Sequence, residues 1–226
     1  MSKFKMLSRL AVPILGALSL MLFSAASSRA DGVSFSSPLG DLGSVMHTYT
    51  LDGVGIAATA FNGGNLFGKS GGPNEEGVGL ADDPSGQHEI FAAVGGAPQS
   101  YIQLDLGALI AAGFTNIMFE IGSTQGVEFW QVTACATAGT PGAGPCAANG
   151  STLTGVAQTF QAAPSNLSAT NHFLDISANN GNVLLEQIAA TPPTTTPEPS
   201  SLGLLLAGML GLAGMSFVRR NRTEQA

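Results

Sequence analysis

Five carboxylates crowd one short stretch of this 226-residue chain: Glu75, Glu76, Asp82, Asp83 and Glu89. Hard oxygen ligands of this kind suit Ca²⁺, which gathers about six to eight of them from carboxylates, carbonyls and water. The run Asp82-Asp83-Pro84-Ser85-Gly86-Gln87 lacks the alternating ligands and the terminal Glu spacing of an EF-hand loop. Neighbouring side chains on an extended segment point to opposite sides, so at most one of each Asp or Glu pair need be a ligand. The five residues are a candidate structural Ca²⁺ site, in a chain that otherwise calls for no cofactor. Solubility is the blander account of the same acids.

Catalytic arrangements are scarcer. A glycosidase needs two carboxyl groups held across a sugar bond, and Glu120 and Glu128 could face one another across a hairpin. Any acidic β protein offers such pairs by chance. His47, His88 and His172 are scattered and match no zinc spacing. There is no Gly-x-Ser-x-Gly elbow, phosphate-binding loop or dinucleotide fingerprint. No catalytic residue is assigned, and the chain reads as a non-enzyme. Cys135 and Cys146 are its only cysteines, with Gly, Pro and small residues between them as in a long hairpin loop. No histidine lies near them in sequence, and the spacing favours a disulfide over two free thiols or a nucleophile.

The charges are distributed unevenly. Of the eight basic residues, four (Lys3, Lys5, Arg9, Arg29) lie near the N-terminus and three (Arg219, Arg220, Arg222) near the C-terminus, leaving only Lys69 between. From Asp31 to Pro197, one lysine against thirteen acids leaves −12. Such a region cannot neutralise phosphates, which excludes nucleic acid as a partner. Docking on an anionic membrane surface is disfavoured for the same reason.

Both ends read as targeting segments. Residues 1–30 have the form of a secretory signal: a basic start, an apolar run from Leu10 to Ala26, and small residues at Ser28 and Ala30. Cleavage between Ala30 and Asp31 is expected. At the other end, Leu202–Val218 is an uncharged run followed by Arg219-Arg220. At ~1.5 Å per residue its helix nearly matches a ~30 Å hydrocarbon layer. The basic pair, with the rest of 219–226, would stay on the cytoplasmic side. The preceding residues, 191–201, are an extended Pro/Thr linker.

The order Pro197-Glu198-Pro199, apolar helix, Arg219-Arg220 resembles the PEP-CTERM sorting signal of Gram-negative surface proteins. The resemblance covers about Thr196 to Arg222 and holds all three parts in order. It implies recognition by exosortase, an integral-membrane cysteine protease-transpeptidase, with Pro197, Glu198 and Pro199 at the processing site. It also implies a membrane-anchored precursor that ends at the cell surface or in the extracellular matrix.

The region between, 31–190, is long enough for one hydrophobic core. Strands are expected near Val45–Leu51, Ile56–Phe61, Gly77–Leu80, Glu89–Phe91, Tyr101–Leu104, Asn116–Ile121, Val127–Ala134, Phe173–Ile176 and Val183–Ile188. Leu106–Ala112 could form one helical turn, stopped by Gly113. Gly122–Gly126 looks like a hairpin turn. On the strand after it, Trp130 shares a face with Glu128 and Val132, and a buried Trp130 is preferred over a solvent-facing sugar platform. The pattern predicts a mainly β, single-domain sandwich, jelly-roll-like. The runs Gly77-Val78-Gly79-Leu80, His88-Glu89-Ile90, Tyr101–Leu106, Ile121–Gln125 and Gly181–Leu185 are similar to a module common on PEP-CTERM proteins, which implies the same fold. The expected function is an exported structural or adhesive protein of the surface or exopolysaccharide matrix. A carbohydrate-binding or carbohydrate-active jelly roll is the alternative. Ice binding ranks last, since Thr194-Thr195-Thr196 in the linker is the one Thr-dense run.

Overall fold

The computed structural model describes residues 30–193 except 73, 74, 94, 125–127, 147–151 and 157, and beyond them residues 205, 208 and 209. The chain divides into two units, Met1–Pro192 and Pro193–Ala226. In the second, Leu205, Gly208 and Met209 are helical. Among the described residues no helix is long and apolar enough to cross a membrane. The expected span Leu202–Val218 lies almost wholly outside them, as does the signal segment before Ala30.

The first unit is mainly β, built from two antiparallel sheets. Its strands are β1 (Asp31–Ser34), β2 (Gly40–Asp41), β3 (Met46–Leu51), β4 (Val54–Phe61), β5 (Leu66–Ser70), β6 (Glu76–Leu80), β7 (Ile90–Phe91) and β8 (Tyr101–Asp105). After helix α1 (Gly107–Ala111) come β9 (Thr115–Gly122), β10 (Phe129–Cys135), β11 (Thr152–Gly155), β12 (Gln161–Ala162), β13 (Phe173–Asn180) and β14 (Asn182–Thr191). One sheet runs β12-β9-β14-β6-β5-β2, with β1 and β7 also pairing with β14; the other runs β11-β10-β13-β8-β4-β3.

Period-two alternation decides which side chains meet between the sheets. From the six-stranded sheet, Ile102, Leu104, Leu174, Ile176, Trp130, Val132 and Ala134 enter the core. From the eight-stranded sheet, Ile117, Phe119, Ile121, Leu185 and Ile188 meet them. Trp130 is 3% exposed and stands edge-on to Phe119 of the opposite sheet at 5.4 Å. The expected buried tryptophan is therefore present, and the two sheets share one core in the manner of a sandwich. In β14 the register against β9 shifts between Leu185 and Gln187. That bulge returns Ile188 to the core and leaves Glu186 outside the alternation.

The nine expected strands all occur, with ends displaced by a few residues, and α1 fills the expected helical turn. One connection differs. Gly122–Gly126 is not a hairpin turn, because β9 pairs with β12 and β14 while β10 pairs with β11 and β13. The chain crosses there from one sheet to the other. A short Gly/Ser-rich segment serves either geometry, so its composition could not separate them. Two glycines permit crossings elsewhere: a Cβ on Gly68 would strike the Pro38 backbone, and one on Gly79 would strike that of His88. Segments at Pro38 and His88 thus lie directly over β5 and β6.

Candidate functional site

The five candidate calcium carboxylates do not converge on one point. Lys69, near the end of β5, reaches both Glu75 at 3.0 Å and the fully buried Glu89. Ser123 Oγ, after β9, donates to Glu89 at 2.8 Å. An internal ammonium thus stands where a cation shared by Glu75 and Glu89 would be. Burial works against the Lys69 charge, but Glu89 and Glu75 outweigh it and hold its pKa above the ordinary lysine value. Burial pushes the Glu89 carboxyl up, while Lys69 and Ser123 pull it back.

The other three acids are engaged elsewhere. Asp83, 6% exposed, accepts from Ser85 N at 2.9 Å, Ser85 Oγ at 2.6 Å and Glu89 N at 3.1 Å, closing its own turn. Glu76 accepts from Ser70 Oγ across the β5–β6 pair at 3.5 Å. Asp82 lines an open cleft of about 410 Å³ with Thr59, Phe61 and Pro141.

The proposed glycosidase pair also separates. Glu120 sits opposite Gln187 of β14 in the eight-stranded sheet, whereas Glu128 precedes β10 and accepts from Asn182 N at 3.4 Å. No hairpin joins their strands. Burial raises Glu120; Glu186 on the adjoining strand is raised by burial and by the charges of Glu120 and Glu76. The histidines lie apart: His88 stacks on Phe67, His47 packs against Tyr49, and His172 lies 3.8 Å from Asp105.

Cys135 and Cys146 form the expected disulfide. It does not close the base of the β10–β11 hairpin, because β11 begins only at Thr152. It joins the end of β10 to a residue within the loop, and the loop is drawn over the outer face of the six-stranded sheet. Gly139 N donates to Gln103 Oε1 at 2.9 Å, and Cys146 N to Asp175 Oδ2 at 2.8 Å. Asn62 fixes the loop a third time, accepting from Gly142 N at 2.9 Å and donating to Ala143 O at 2.6 Å.

Beneath this strap lies a polar cross-strand row that sequence reasoning missed. Gln103 of β8 stands opposite Asp175 of β13 and donates to its Oδ1 at 2.6 Å. Tyr101 stands opposite Ser177 in the adjacent row and stacks on Phe61 at 4.6 Å. Tyr101, Gln103, Asp175 and Ser177 are at most 4% exposed. Burial pushes Asp175 up, partly offset by Cys146 N–H and Gln103. Tyr101 is pushed up to about 12 by burial and by the Asp175 charge, against a pull from the Thr140 backbone. With Leu174 and Ile176 in the core, Asp175 takes the outer face of its strand, and nothing local in the sequence indicates that a strap covers it. Sγ of Cys135 and Cys146 and a carboxylate oxygen of Asp175 lie within 4.8 Å of one another, but the sulfurs are committed to the disulfide.

Replacing both cysteines by alanine is expected to cost about 3 kcal/mol, the chain-entropy value for a short loop. Urea denaturation of wild type and variant measures it. A loss below ~1 kcal/mol would mean that the hydrogen bonds to Gln103, Asp175 and Asn62 hold the strap without the covalent link.

The last strand of the β unit, β14, ends at Thr191, the first residue of the Pro/Thr linker. The PEP-CTERM protein-sorting motif matches residues 195–222, in support of a PEP-CTERM exosortase-sorted protein. The motif includes Pro197, Glu198, Pro199, Arg219 and Arg220, none of them among the described residues. It implies export, a membrane-anchored precursor and processing by the membrane enzyme exosortase. No curated protein and no solved structure matches the chain.

Proposed function

We propose that this protein is a non-catalytic structural or adhesive component of the cell surface or exopolysaccharide matrix, delivered by signal-peptide export and exosortase processing. The observation that carries the reading is the sorting motif at 195–222, following directly on a folded β unit. The delivered unit is proposed as a jelly-roll-like sandwich, supported by chain crossings between sheets such as that from β9 to β10. Its excess of acids suits a soluble surface module. Ala30 is exposed and Asp31 opens β1, so the proposed signal cleavage falls at the edge of the fold. Leu202–Val218 is proposed as the span that holds the precursor in the membrane. A carbohydrate-binding role draws no support from Trp130, the chain's one tryptophan, because that ring is buried.

Mass spectrometry of native surface and released material tests the proposal. Expected is a product beginning at Asp31 and lacking Arg219–Ala226, with unprocessed precursor accumulating in membranes when Pro197, Glu198 and Pro199 are replaced by alanine. An intact C-terminus on a soluble intracellular protein would overturn it. Specific retention of the mature protein on a glycan array would favour the carbohydrate-binding alternative instead.

A further inference from the structure

We infer that the cavity beneath the disulfide strap is a binding site for a hard cation, Ca²⁺ in the first instance, with Asp175 as its anionic ligand. Three carboxylate residues are buried among the described ones: Asp83, Glu89 and Asp175. Each answers its desolvation differently. Glu89 has the Lys69 ammonium and Ser123. Asp83 has three donors at close range and Asn182 Nδ2 at 3.4 Å. Asp175, 1% exposed, has two neutral donors and no cationic partner among the described residues. A buried carboxylate without a countercharge is costly, and either a proton or a cation relieves it.

The surroundings favour a cation. Asp175 borders a cavity of about 140 Å³ lined by Tyr101, Gln103, Thr137, Gly139, Thr140 and Cys146. Tyr101 is fully buried there, and its hydroxyl meets the Thr140 backbone without a hydrogen bond of standard geometry. Among the lining residues, Tyr101, Thr137 and Thr140 carry hydroxyl oxygens and Asp175 a carboxylate, which together make an oxygen donor set. Ca²⁺ accepts such a set in irregular geometry and keeps water for the remaining positions. Na⁺ shares this chemistry and would be neutralised by the single carboxylate. The site differs from the acidic stretch at 75–89, where Lys69 already supplies the positive charge.

The test is calorimetric titration of the chelator-treated full-length chain with CaCl₂, and separately with NaCl, alongside thermal melts. Binding is expected with a Kd on the order of 10⁻⁴–10⁻³ M, as for extracellular modules. Asp175→Asn keeps the shape of the side chain and is expected to weaken binding at least about tenfold. Tyr101→Phe keeps the ring stacked on Phe61 and removes only the hydroxyl. It is expected to weaken binding by a smaller factor, and it serves as the readout if Asp175→Asn fails to fold. Heat with Na⁺ alone would assign the site to the monovalent ion and support the hard-cation reading. The inference falls if neither ion gives heat or a melting shift, which would leave a proton as the only answer to the buried charge. It also falls if Ca²⁺ binds with undiminished affinity in both variants, placing that ion among the surface acids. Either failure leaves the sorting proposal untouched.

Discussion

Replacing Lys69 by methionine is expected to destabilise the fold by about 3–5 kcal/mol at neutral pH, because it strands the fully buried Glu89 without its ammonium. The pH dependence separates this cause from lost packing. Burial has already raised the folded-state pKa of Glu89 above its ordinary value. The folded form therefore holds this proton more tightly than the unfolded chain does. Stability from that linkage is complete below the ordinary carboxylate range and is lost as pH rises through the folded pKa. Removing Lys69 removes a force that lowers the Glu89 pKa, so the window of loss extends further upward. The variant's deficit should therefore shrink on acidification. Urea denaturation of the full chain at neutral and mildly acidic pH measures both effects, and Lys69→Met combined with Glu89→Gln should recover much of the loss. A deficit unchanged by pH and by the second substitution would show that the lysine stem, not its charge, is what matters.

Trp130→Ala is expected to cost a similar ~3–5 kcal/mol, through a different mechanism. The indole spans from the six-stranded sheet to Phe119 of the other, so truncation leaves a cavity at the junction of the two layers. Trp130→Phe should cost less, since it keeps a ring beside Phe119. Intrinsic fluorescence follows the transition in wild type, and circular dichroism follows it in the variants. A change below ~1 kcal/mol for the alanine variant would mean that the layers do not depend on this contact.

The strands legible in sequence were those with clear alternation, such as Tyr101–Asp105 and Thr115–Gly122, where every second side chain enters the core. Those missed were β1, β2, β5, β11 and β12. Most are short, and β5 is interrupted by Gly68, which is small because the backbone at Pro38 passes over it. The β9–β10 crossing was misread because a turn and a crossover use the same small residues. The acidic stretch was visible as composition, but its meaning depended on Lys69 folding back onto Glu75 and Glu89. The Asp175 site was hidden for a related reason: a polar residue on an outward face is ordinarily wet, and only the tertiary placement of residues 136–146 makes it dry. The sorting tail was legible because it is read as linear sequence, independent of any packing.

Asp31 pairs with Ala190, so the first strand of the delivered unit lies alongside the last few residues of β14. β14 is held by β9 on one side and by β1, β6 and β7 on the other. Tension transmitted through a C-terminal anchor would therefore enter the molecule along a central strand. It would have to slide that strand past neighbours on both flanks, breaking several hydrogen bonds together and not one after another. Such a load path resists pulling far better than an edge strand, which could be peeled away bond by bond.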